Sequence, residues 1–125
     1  MSEYYGDKNF EMYLSKGIMY SVPKAGCIIT KDVSEAMILE RIKISKEVSY
    51  TVILDSRLVK YWTMDSRNNN MKANAYVLVK CAAIVIKSKA VKVMWNYAIR
   101  LFAVPVPSKV FNELEQAQVW VEKYK

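Results

Sequence analysis

The sequence contains no histidine. Without an imidazole, the usual general base at neutral pH is missing, and with it every triad or dyad built around one. Glycine and proline are scarce, at three each, which excludes a glycine-rich phosphate loop and a proline- or glycine-rich linker. Cysteine is confined to Cys27 and Cys81. They form no CxxC pair and have no histidine to complete a typical zinc site, so both are read as reduced, buried thiols. No metal and no cofactor is expected. Long apolar runs are missing too: the most hydrophobic stretch, Ala75 to Ile86, is interrupted by Lys80 and falls far short of the roughly 20 residues of a membrane helix. No integral membrane association is expected. The first residues, through Asp7, are acidic where a signal peptide needs a basic region. Together with the reduced thiols, this points to a cytoplasmic location.

Present instead are 53% hydrophobic and 25% charged residues in 125, the composition and size of one well-packed domain over 1–125. Residues 1–9 are expected to be a flexible N-terminus. Phe10–Leu14 and Ile18–Val22 flank a turn at Ser15-Lys16-Gly17, which predicts a β-hairpin. Cys27-Ile28-Ile29 is a further extended piece. Thr30 is a candidate N-cap for a helix to about Lys46, with Val33, Met37 and Ile44 on one face and Ile38 and Ile42 nearly opposite. Thr51–Leu54 and Ala82–Ile86 are continuous aliphatic runs of the kind found in strands buried on both faces of a parallel sheet. Thr63 and Ser88 are candidate caps for two more helices, the second running from Lys89 to about Phe102. Lys109-Val110-Phe111 is a predicted edge strand. Asn112 is expected to cap a last helix from Glu113 to Tyr124, with Leu114, Ala117, Trp120 and Val121 on one face. The fold class is therefore α/β, a single-domain mixed sheet with an N-terminal hairpin and about four helices.

The order and spacing of several of these pieces resemble the STAS-type superfamily, within it the small stand-alone SpoIIAA-like proteins related to anti-sigma-factor antagonists. They are Gly17-Ile18-Met19-Tyr20, Ile28-Ile29-Thr30, Tyr50 to Asp55, Ala82 to Ile86, and Lys109 to Glu113 running into Ala117 and Trp120. The resemblance implies a non-enzymatic protein-interaction or regulatory module. It also implies a phosphorylated serine after an aspartate at a helix start, and Asp65-Ser66 stands in roughly that place. The spacing from Asp55 is longer than the family pattern, and Arg67 and Asn68 stand where the family has serine and glycine. An ordinary first-turn role for Ser66 is the alternative.

Asp55 with Asp65 is the one carboxylate pair to consider for catalysis, and each is equally explained as a turn or helix-start residue. Charge is uneven: segment 54–110 holds ten Lys/Arg against two Asp/Glu. Arg57, Lys60, Arg67, Lys72, Lys80, Lys87, Lys89, Lys92 and Arg100 could present a basic surface to an anionic partner such as a lipid headgroup or nucleic acid, or simply a solvated face. This gives a second reading, a binder of an anionic or amphipathic ligand. In the helix from Lys89, the residues Lys89, Lys92, Asn96 and Arg100 form a narrow polar strip, and apolar residues fill the rest. The surplus suggests a homodimer through Val93, Trp95, Tyr97 and Ile99, or else burial between neighbouring elements.

Overall fold

A computed structural model describes residues 3–70, 72–101 and 104–125. The predicted hairpin is formed by β2 (Phe10–Ser15) and β3 (Ile18–Pro23). Ser15 pairs with Ile18 across a two-residue turn. Lys16 and Gly17 both have positive φ, 52° and 80°, the backbone a tight hairpin needs and one glycine adopts without strain. Tyr4–Gly6, inside the stretch expected to be a flexible N-terminus, is an edge strand, β1, antiparallel to β2.

From β3 the chain runs through β4 (Ile28–Ile29) into α1 (Lys31–Ser45). Thr30 caps α1 by accepting from Val33 N at 3.3 Å, and Lys46 ends it in the left-handed region. There follow β5 (Tyr50–Asp55), β6 (Tyr61–Trp62), α2 (Met64–Asn70), a 3₁₀ turn at Ala73–Tyr76 and β7 (Val79–Val85). The chain continues through α3 (Lys89–Leu101), β8 (Ser108–Phe111), α4 (Leu114–Val121) and a 3₁₀ turn at Glu122–Tyr124. The main sheet has the order β1-β2-β3-β5-β7-β8, with β3, β5, β7 and β8 mutually parallel. A separate parallel pair joins β4 to β6.

The continuous aliphatic runs are buried on both faces, as their composition predicts. Val52, Leu54, Ala82 and Ile84 face one cluster, which holds Met37 and Ile44 of α1 and Trp95 of α3. Ile53, Cys81, Ala83 and Val85 face another, closed by Ala117 and Val121 of α4. Leu114 and Trp120 pack against that second cluster. Ile38, expected nearly opposite the buried face of α1, is buried as well, and Ile42 is half-buried. Three-layer packing explains why so short a chain sustains central strands whose middle residues are almost wholly apolar.

The caps come out unevenly. Ser88 Oγ accepts from Ala90 N at 3.1 Å and Val91 N at 3.4 Å, fixing the start of α3. Asn112 is not the cap of α4: position 113 is, with no side-chain bond. The Asn112 amide instead donates to the Ile86 carbonyl at 3.2 Å, tying the chain after β8 to the end of β7. The predicted end of the helix at Phe102 lies outside the described residues.

Candidate functional site

The central strands β5 and β7 end side by side, with Asp55 paired to Val85. The chain leaving each becomes one wall of a cleft. Ser56 closes the corner by donating twice to the Val85 carbonyl, from N at 2.9 Å and from Oγ at 3.0 Å. The loop then lays Tyr61 and Trp62 beside β4, held by Lys60 N to Cys27 O at 2.8 Å and Thr63 N to Ile29 O at 3.0 Å. Val91, Met94 and Trp95 of α3 complete a cavity of about 360 Å³, within the size range of small-molecule sites at the carboxyl ends of parallel strands. Its floor is aromatic. Trp62 meets Trp95 edge to face, centroids 5.4 Å apart at 81°.

Cations surround that floor: Arg57, Lys60, Arg67 and Lys87 all line the cleft. Arg57 is neutralised by Asp55 through two bonds of 2.8 and 2.7 Å, and this pairing holds the guanidinium above its ordinary pKa. Lys60, Arg67 and Lys87 have no carboxylate within ion-pair distance among the described residues. Arg67 lies along α3, its Nη1 3.4 Å from Met94 Sδ. Between Asp65 and Glu113 the sequence has no acidic residue at all, so this segment adds only positive charge to the cleft. A second depression of about 430 Å³ shares Arg57 and Lys87 with the cleft. The lining of the cleft includes no carboxylate and no thiol. Among the described residues no cluster of Cys, Asp or Glu could hold a metal ion.

The structure thus gathers four of the nine candidate anion-binding residues. Lys72, Lys80, Lys89 and Arg100 are exposed and Lys92 is half-buried, none lining the cleft. Asp65 accepts the Thr63 hydroxyl, and Asp55 is taken by Arg57, so the two carboxylates are separately occupied. Ser66 is 0% exposed. Its Oγ donates to the Thr63 carbonyl at 2.7 Å and its N to Thr63 Oγ1 at 3.3 Å, the bonds of a first-turn helix residue. Trp95, expected as an anchor on an outer face, is 2% exposed and belongs to the core, because only that face of α3 can meet Trp62. Ile99 packs partly against the same cluster. Val93 at 70% and Tyr97 at 60% are exposed, with Met94 and Leu101 beside them. Sequence reasoning passed over Tyr61, Trp62 and Ser88 as ligand-facing positions. Their signal was their place, just past two strands readable as parallel.

The fold has a solved counterpart. An uncharacterised protein of the DUF3478 family from Shewanella loihica PV-4, described as having a SpoIIAA-like fold, superposes with a TM-score of 0.60 over 89% of this chain and 90% of its own, at 16% identity. The fold is therefore SpoIIAA-like. Residues 12–125 match the DUF7793 family, a domain of unknown function, and the chain belongs to that family. A search of curated proteins finds no match. Among the described residues, no helix is long and apolar enough to cross a membrane.

Proposed function

We propose that this chain is a non-catalytic binding module whose cleft takes a small amphipathic anion. The observation that carries the reading is the meeting of three cations without carboxylate partners, Lys60, Arg67 and Lys87, with the Trp62–Trp95 floor in one cavity. Unpaired cations there favour a negative group, and the aromatic floor favours an apolar body. The lining holds no histidine, carboxylate or thiol to act as a general base or nucleophile. The fluorescent naphthalene sulfonate ANS is a suitable probe of this class. Two of the three tryptophans line the cleft, so their emission reports its occupation. The expected result is saturable quenching whose affinity falls about tenfold in K60M/K87M, the size of one lost charge-assisted contact. Equal affinity in the variant and the natural sequence removes the reading.

A second reading, an interaction module pairing through α3, is favoured by the exposed arc of Val93, Met94, Tyr97 and Leu101. A homodimer through this arc brings Lys89, Lys92 and Arg100 of two copies together, so its association strengthens as salt screens their repulsion. Sedimentation velocity across salt concentrations tests it. A dimer dispersed by V93E/Y97E supports the pairing, and a monomer at every salt concentration removes it.

A further inference from the structure

Arg41 presents a problem the cleft does not address. It lies on α1 and is 8% exposed, so its guanidinium is held in the interior. Its Nε donates to the Tyr50 hydroxyl at 3.1 Å and its Nη2 donates to the Ala75 carbonyl. Both acceptors are neutral. Among the described residues no carboxylate lies within ion-pair distance of it. A buried cation left without a counter-charge costs several kcal/mol, and two neutral acceptors offset only part of that.

Beside the guanidinium is a cavity of about 30 Å³. A single water needs roughly 10–15 Å³ of such space, so a body of halide size fits and a larger ligand does not. Its lining divides in two. Met37, Val52 and Ile84 supply an apolar wall, and Arg41, Asn70 and Tyr76 supply N–H and O–H groups. Tyr76 is a half-buried phenol held in its protonated, donating form: desolvation pushes its pKa up to about 12. The charge acting on Tyr50 and Tyr76 is that of Arg41, which is positive.

We propose that this cavity, which lies between α1, the sheet and the 3₁₀ turn at Ala73–Tyr76 and is partly open to solvent, binds a small monovalent anion of halide size as the counter-ion of Arg41. The anion sits among donors contributed by α1, by the end of α2 and by the 3₁₀ turn, so it fastens the α2–β7 connection to the core. The site is separate from the cleft and stands or falls without it.

Crystals grown in sodium bromide provide the direct test, since bromide scatters anomalously. An anomalous peak beside Arg41 is expected. A data set of comparable quality with water alone in the cavity overturns the proposal. The solution test compares thermal unfolding in sodium chloride and in sodium gluconate at equal ionic strength, because gluconate is too large to enter. The expected result is a higher Tm in chloride, with the difference abolished in R41M, whose side chain replaces the buried charge with an apolar one of similar length. An equal difference in R41M overturns the proposal. Should R41M not fold, R41L serves in its place, and the bromide experiment needs no variant.

Discussion

Two serines near helix starts show how surroundings divide one chemistry between two roles. Ser88 lines the cleft, and its oxygen accepts two amides of α3, leaving its proton free for a ligand. Ser66 is sealed, and its proton is committed to the Thr63 carbonyl. A phosphate on Ser66 would place about two negative charges where solvent does not reach. In urea denaturation, S66A should lose about 1 kcal/mol, the worth of one hydrogen bond. S66E should lose on the order of 3 kcal/mol or more, the cost of burying an unpaired charge. Equal stability of S66E and the natural sequence would show that the segment opens readily enough to serve as a switch. The aspartate–serine pair was legible in the sequence as a helix start. The burial that decides between switch and structure was not, because it depends on Asn69 bonding to Ser34 across 35 residues and on α2 packing against α1.

Among the elements, α3 best separates what periodicity can and cannot say. Its spacing correctly gives a narrow polar strip, and the apolar remainder is too broad for one buried stripe. Nothing in that pattern tells which part of the remainder meets the sheet. The choice is made with Trp62, thirty-three positions away on β6, whose ring stands nearly perpendicular to that of Trp95. The central strands are the opposite case. In Thr51–Leu54 of β5 and Cys81–Val85 of β7 every residue on either face is apolar or small, so double burial could be read without knowing the neighbours. Asn112 lies between the two: its type suits a cap, but the free Ile86 carbonyl across the strand end takes its amide. For α3 the expectation is divergent stability effects along one helix. W95A should cost about 3–5 kcal/mol through loss of a buried aromatic, whereas V93E/Y97E should stay within about 1 kcal/mol of the natural sequence. Chemical denaturation measures both, and similar losses in the two variants would contradict the assignment of faces.

For the molecule as a whole, charge and burial set opposing responses to alkali. The chain carries a formal net charge of +7, and lysine deprotonation at high pH relieves self-repulsion and favours the compact state. Acids whose ionisation is opposed by burial act the other way, Cys81 and Tyr76 among them. Burial lifts the Cys81 thiol from its ordinary 9.0 to about 11 and the Tyr76 phenol from 10.0 to about 12. Each therefore keeps its proton in the folded chain over a range where the unfolded chain has lost it. The unfolded state then binds fewer protons, and stability falls as pH rises. For Cys81 the loss begins near pH 9 and is complete beyond about 11. For Tyr76 it begins near pH 10 and extends to about 12. Below pH 8 neither group contributes any slope. Urea midpoints between pH 7 and 11 should decline for the natural sequence and decline less for C81A and for Y76F. The relief of lysine repulsion is common to all three proteins, so the difference between variant and natural curves isolates the buried acids. Parallel curves would mean that the thiol and phenol ionise as freely in the folded chain as in the unfolded one, and that the interior around β7 is open to water.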